Sequence, residues 1–368
     1  MSLSVGIQGG EAMTVMCAAK AFGGIAAAAL LVAAAPPPGD VDTSAWWDII
    51  TVLSSDAMRG RHTGSPGHRA AAADVAARFK AAGLQPLGDA GGFVQSVPLH
   101  EVRVETTGTR FAIVAPGGRA RPLRFLQDVS IRATNGLPAA LDTAMVFRGY
   151  CGKDDVGGDV AGKLVVCFGG GRGSMVGADE RLAAIGAATA AGALVIDDVG
   201  FTVEPPQWPA AYARSVTLRG ADTPKAPALA LMRLNPAALP LVLKGSGHDA
   251  AAVLATAIAA RPLPGFDLPG RFRADLVVSE RDFSSENIIA LLPGTDAALA
   301  KEAIVVDAHL DGYEIGTPMN GDAIYNGAFD DAAYVASLVR LAQIRQGKGF
   351  RRPVIFAVFT GEEKGLLG

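Results

Sequence analysis

Apolar positions recur with helical or strand spacing in several separate stretches of the chain. Ser65-Pro66-Gly67-His68 opens a segment running to about Ala82 in which Val75, Phe79 and Ala82 share one face. Pro66 suits the first turn of a helix there and Gly83 suits its C-terminal cap. From about Val94 to Ile131 short alternating runs are broken by Gly and Pro, which predicts strands and hairpins. Beyond Ser285 come NIIALLPG, AIVVDAHLD, a helical pattern from about Asp331 to Gln346, and PVIFAVFTGEEKGLLG. Ile304 to Val306 and Val354 to Phe359 are continuous apolar runs, as expected for central strands of a parallel sheet covered on both faces. The helix between them is expected to pack through Val335, Leu338, Val339 and Ala342. These pieces predict an α/β fold with a mostly parallel core sheet flanked by helices.

Between about 138 and 260 the composition shifts toward Gly and Ala, with TAMVFRGYCG, DVAGKLVVCFGGG and DERLAAIGAATAAGALVIDD in succession. Strand, Gly turn, strand, Ala-rich helix and strand in that order resemble the protease-associated domain, a small β-rich insert of several secreted peptidases. The resemblance implies a role in shaping substrate access. An unrelated small α/β domain is the alternative. The expected plan is a signal peptide over 1–35, the N-terminal part of the main domain over 36–137, the insert over 138–260 and the core over 261–368.

Charge narrows the partners. With 33 basic against 36 acidic residues, a net charge of −3 and no cluster of Lys or Arg, the chain has neither a nucleic-acid footprint nor a polybasic membrane patch. At the N-terminus, Lys20 precedes an apolar run from Ala21 to Ala35 that breaks at Pro36, Pro37 and Pro38, the grammar of a signal peptide cleaved after Ala34 or Ala35. The run falls short of the roughly 20 residues that span a bilayer. An exported protein, periplasmic or extracellular and with no stable membrane span after cleavage, is therefore expected. Cys17 would leave with the signal; Cys151 and Cys167 would meet an oxidising compartment, though their spacing alone leaves a disulfide open. The absence of C-x-x-C or Cys/His clusters excludes a finger-type zinc site.

Two polar clusters follow the apolar runs near the core's C-terminal end, His309-Leu310-Asp311 and Glu362-Glu363, and a third, Asp330-Asp331 in YNGAFDDAA, lies in the loop expected to lead into the helix. In open α/β sheets, ligands gather beyond the carboxyl ends of the strands. Any one of these residues alone would be read as an ordinary polar group. Together they offer the nitrogen and oxygen donors that hold zinc, and burying so much negative charge without a cation would be costly.

AHLD, NGAFDDAA and TGEEKGLLG resemble the di-zinc aminopeptidase family, which also includes glutamate carboxypeptidases and glutaminyl cyclases. The likeness is clear from about Asn287 to Gly368 and weaker at LSSDAMRGR and GLQPLG. It implies a zinc exopeptidase fold holding two Zn2+ ions, with His309 on one ion, Asp330 bridging both and Glu363 on the other. It implies further that Glu362 is the general base and acts on a metal-activated water. Asp311, two residues past His309, is expected to accept the other imidazole N–H. Peptide or protein substrates cleaved as by an aminopeptidase follow from the resemblance; a glutaminyl cyclase-like acyl transfer and a non-catalytic binding protein are the alternatives. Ala333-Tyr334 stands where the family has Ser-Gly, and Phe329 where a polar residue is common. The family's remaining Asp and His ligands are expected downstream of the Glu pair, so a C-terminally truncated and weakly metal-binding chain is anticipated. His62, His68, His100 and His248 sit in no matching motif.

Overall fold

The computed structural model describes residues 41–169, 175–198, 208, 210–221 and 229–368; the expected signal peptide at 1–35 lies outside the described residues. Six α-helices occur among them: α1 (Val41–Leu53), α2 (Pro66–Ala81), α3 (Ala178–Ala187), α4 (Leu239–Leu243), α5 (Ala250–Ile258) and α6 (Ala333–Ile344). The strands of the first half are β1 (Gln85–Pro86), β2 (Val94–Val104), β3 (Arg110–Val114), β4 (Ala120–Leu123), β5 (Val129–Ile131), β6 (Ala140–Arg148), β7 (Leu164–Phe168) and β8 (Gly192–Ile196). Those of the second half are β9 (Arg214–Leu218), β10 (Ala230–Leu234), β11 (Gly265–Asp275), β12 (Val278–Leu292), β13 (Ile304–His309), β14 (Ile315–Met319), β15 (Asp322–Ile324) and β16 (Val354–Phe359).

The α2 helix starts as its sequence dictates. Ser65 stays extended and its hydroxyl accepts the His68 N–H, one of the donors a helix start leaves without a partner, while Pro66 needs no such bond. Gly83 follows the last turn at φ +78°, a left-handed conformation that glycine adopts freely. Val75 and Phe79 are fully buried, and the Phe79 ring lies 5.6 Å from that of Phe356 in β16. The α6 helix packs through Val335, Leu338, Val339 and Ala342 as its spacing predicts. Together with α1, α2 and α6 cover one face of a sheet ordered β13-β16-β12-β2-β9, with the short β1 beside β12.

In this first sheet β13 and β16 run parallel, whereas β1, β2, β9 and β12 pair antiparallel. Only the β13–β16 pair has the expected parallel form. β13 also ends the strand order, leaving Ile304 and Val305 49 % and 54 % exposed, so it is not the doubly covered central strand that its apolar run suggests. The apolar run reports β propensity; it does not report the strand's place in the sheet.

A second sheet of eight strands, ordered β4-β3-β11-β6-β7-β8-β10-β5, has its own core around Phe111, Phe147, Phe272 and Met232. Its parallel run β6-β7-β8-β10 is made by the Gly- and Ala-rich segment. The sheet is wider than the expected 138–260, because β3, β4 and β5 join from one side in sequence and β11 from the other. One strand of that segment does not join it: β9 crosses to the first sheet and pairs with β2, from Leu99 opposite Leu218 to Arg103 opposite Arg214. The described residues accordingly fall in one compact unit spanning 40–368. Cys151 and Cys167 form a disulfide beneath the second sheet, in an apolar cluster with Val165 and Ile185. No helix among the described residues is long and apolar enough to cross a membrane.

Candidate metal centre

The parallel pairing of β13 with β16 sets His309 opposite Phe359, so both strands deliver their following residues to the same end of the sheet. Leu310 N–H donates to the Phe359 carbonyl (2.8 Å), extending the ladder one step. At the end of β16 the Thr360 N–H donates to Asn287 Oδ1 (2.9 Å) and the Thr360 hydroxyl meets Ser285 Oγ (2.6 Å). These bonds pin the strand end just before the turn Glu362–Lys364. The third cluster arrives from above: Asp330 and Asp331 lie in the turn Ala328–Ala332 immediately before α6, both with non-helical backbone.

His309 Nε2 stands 3.0 Å from Asp330 Oδ1, and 3.8 Å and 3.7 Å from carboxylate oxygens of Asp331 and Glu362. His309, Asp330 and Asp331 each bring a donor atom within 4.8 Å of the other two. Asp331 is mostly buried and is held by the main chain, accepting the His309 N–H on Oδ2 (3.0 Å). On the other side of the ring Nδ1 lies 3.2 Å from the Asp311 carbonyl and 3.8 Å from its carboxylate. The imidazole N–H is therefore taken by the main chain of Asp311, not by its side chain as the sequence suggests. Both oxygens of that fully buried carboxylate are already engaged: Oδ2 accepts the Thr63 hydroxyl (2.8 Å) and Oδ1 accepts the Glu362 N–H (3.1 Å). Asp311 ties the Glu362 turn to the strand end.

This arrangement leaves one contact that needs a cation. With Nδ1–H given to a carbonyl, Nε2 presents its lone pair to the Asp330 carboxylate, and two acceptors hold that distance only with a proton or a metal ion between or beside them. The protonation balance reflects the same crowding. Burial opposes charge on His309, yet the carboxylates of Asp311, Asp331, Glu362 and Asp330 outweigh it and raise the imidazole above its ordinary value. Burial likewise raises Asp331, partly offset by the His309 N–H. One imidazole and two carboxylates, with donor atoms within 4.8 Å of one another, are the nitrogen and oxygen donor set that suits zinc.

The two glutamates of the Glu362–Lys364 turn look into different spaces. Glu362 lines a cavity of about 500 Å³ together with His309, Asp331 and Tyr334. Glu363 lies outside the three-residue group and lines a second cavity of about 270 Å³ with Tyr212, Tyr313 and Lys364. Burial pushes the Glu363 carboxyl up to about 7; a hydrogen bond from Tyr313 opposes this, and the charges of Asp330 and Asp311 add to it. Its Oε1 is buried with no hydrogen-bond partner. Exposed Phe329 packs edge-on against Tyr334, which lines the first cavity. Of the other histidines, His62 and His68 are buried and are not part of this three-residue group, while His100 pairs with Asp282 and His248 stacks on Phe266.

Asp331 was visible in the sequence only as the second half of an acidic pair, since nothing in the spacing says which of two adjacent carboxylates turns inward. Arg61 was visible only as the end of the weakly matching LSSDAMRGR, with nothing to assign it a role, and Thr63 carried no signal. Their partners lie about 250 positions away, beyond the reach of any periodicity.

The model of peptidase family M28 matches residues 287–368. Among solved structures, the aminopeptidase from Aneurinibacillus sp. strain AM-1 superposes with a TM-score of 0.55 at 18 % identity, covering 88 % of this chain and 64 % of that one. A zinc aminopeptidase from Bacillus subtilis superposes with a TM-score of 0.51 at 16 % identity, covering 89 % of this chain and 63 % of that one. The chain thus spans somewhat less than two thirds of the length of either. No curated protein matches it in sequence. Residues 287–368, which contain every residue of the metal group, thus match the model of peptidase family M28, in a chain whose fold is similar to that of the solved aminopeptidases.

Proposed function

We propose that this chain serves a zinc-dependent metallopeptidase, an exopeptidase of the aminopeptidase kind acting on peptides or proteins. The observation that carries the reading is the meeting of His309 Nε2 and Asp330 Oδ1, with Asp331 beside them, at the carboxyl end of the one parallel strand pair in the first sheet. His309 and Asp330 would hold zinc, and the resemblance adds Glu363 to the residues that would do so. Bound zinc supplies Lewis acidity toward the peptide carbonyl and lowers the pKa of water.

The chain's own residues supply the rest. Glu362, held by its main-chain bond to Asp311, extends a half-exposed carboxylate into the larger cavity, where it takes the proton of the attacking water and returns it to the leaving amine. The Asp311 carbonyl fixes the His309 tautomer, keeping Nε2 free for the metal. Tyr334 and Phe329 give the cavity an apolar rim for a substrate side chain. The Cys151–Cys167 disulfide supports an exported location, and the eight-stranded second sheet supports a module of the protease-associated type.

The test combines zinc content, measured by mass spectrometry after dialysis, with hydrolysis of aminoacyl p-nitroanilides. His309→Ala and Asp330→Asn are expected to lose zinc and turnover together. Full zinc content in both variants would overturn the ligand assignment.

A further inference from the structure

Arg61 is completely buried, yet among the described residues its guanidinium makes no ion pair. Four main-chain carbonyls surround it instead. Nε donates to Leu310 (2.8 Å), Nη1 to Leu53 (2.6 Å) and Asn326 (2.8 Å), and Nη2 to Gly327 (2.9 Å). Leu310 is the residue between His309 and Asp311; Gly327 leads directly into the turn that carries Asp330 and Asp331. The same segment touches the strand end twice more, with the Arg61 carbonyl accepting the Gly312 N–H (3.2 Å) and the Thr63 hydroxyl donating to Asp311.

The backbone is bent to make this possible. Arg59, Gly60 and Arg61 are all left-handed, at φ +48°, +65° and +46°, a conformation that costs the two arginines energy and persists only where surrounding contacts enforce it. Gly60 leaves no room for a side chain, since a Cβ there would stand 2.5 Å from the Tyr325 carbonyl. A cation buried with no salt bridge at contact distance, its charge only partly offset by Asp311, Asp331 and Asp330, is also unfavourable beside an apolar residue of similar size. Such a side chain would fill the volume without joining the two loops.

We infer that Arg61 is a positioning residue for the metal centre: its planar fork sets the separation between the strand end bearing His309 and the turn bearing Asp330. The inference rests on the metal reading above. The fork matters because its donors point to both loops at once, whereas the ammonium of a lysine is a single point that satisfies one side.

Arg61→Lys keeps the charge and removes the fork, so any change in zinc affinity reads geometry and not Coulomb attraction. Zinc would be titrated into the metal-free chain against a competing chelator at 25 °C, with far-UV circular dichroism and the metal-free Tm recorded in parallel. The expected result is zinc binding weakened about tenfold to a hundredfold, the range for groups that orient ligands. Gly327→Ala approaches the same link from the other side and serves if Arg61→Lys does not fold; its Cβ would lie 2.8 Å from Arg61 Nη2 and 2.6 Å from the Asp330 carbonyl. It too should weaken zinc binding. Val75→Ala, in the α2 core, is the control: it lowers Tm and leaves zinc affinity unchanged. If Arg61→Lys and Gly327→Ala lower Tm as Val75→Ala does and hold zinc as tightly as the unsubstituted chain, Arg61 is a structural residue and the inference falls. If the unsubstituted chain takes up no zinc, the metal reading falls and takes the inference with it.

Discussion

Glu362 and Glu363 are adjacent in sequence and differ in what surrounds them. The carboxylate of Glu362 faces the cavity of His309; that of Glu363 is buried beside Tyr313 with one oxygen unpartnered. Glu362→Gln is expected to keep zinc near the unsubstituted level and to lower turnover at least about a hundredfold, the usual contribution of a general base. Glu363→Gln should lose zinc. Equal zinc loss in both would refute the division of roles. A second residue reports through acid stability. Burial holds the His62 imidazole well below its ordinary value, helped by the positive charges of Lys364, Arg214 and Arg103, while the Glu314 carboxylate stands 3.9 Å away. Because the unfolded chain binds the proton first, the stability His62 contributes is complete above about pH 6.5 and is lost progressively as pH falls below it. The drop in metal-free Tm between pH 7.5 and pH 5.5 should therefore be smaller in His62→Gln than in the unsubstituted chain. An equal drop would mean that other groups govern acid unfolding. At this scale the sequence made three clusters legible, two by their place after apolar runs and Asp330-Asp331 by their place in the loop before a helix. It could not tell which oxygen of Asp311 the imidazole meets, because that depends on Thr63 claiming the carboxylate from a distant segment.

At the scale of elements, the helices were the legible part. One face of α2 and one face of α6 carry their burial in the spacing of Val75 and Phe79 and of Val335, Leu338 and Val339. Phe79→Ala should cost about 3–5 kcal/mol, since the Phe356 ring it packs on belongs to a sheet strand that cannot close the gap. Denaturant unfolding measures this; a loss under about 1 kcal/mol would show that the α2 face repacks. Strand neighbours were less legible, because an apolar run looks the same at the edge of a sheet and in its middle. Ile304 and Val305 in β13 are the example, apolar in sequence and half exposed in the fold. The first sheet is largely antiparallel for a similar reason: pairing between β2 and β12 joins residues about 180 positions apart and leaves no local trace.

For the whole molecule, the segment 138–260 supplies the parallel strands β6, β7, β8 and β10 of the second sheet, while β3, β4, β5 and β11 join them from outside it. Excising 138–260 would strip β11 of β6 and strip β2 of β9, so the shortened chain is expected to be insoluble or unfolded by circular dichroism. A folded, monomeric product would show that the two sheets are independent. Within the second sheet, Cys151→Ser should cost about 3 kcal/mol, the cross-link closing a loop over a sequence separation of 16. A variant with unchanged Tm would place the bond outside the stabilising set. The Arg61 fork, finally, bears on the order of events in folding. Its contact with Leu310 closes a loop of 249 positions, and contacts of such span form late because the chain between them must first be gathered in. In refolding from denaturant, helical signal should return before zinc is captured, and the centre would become competent only when the first and last parts of the chain have met.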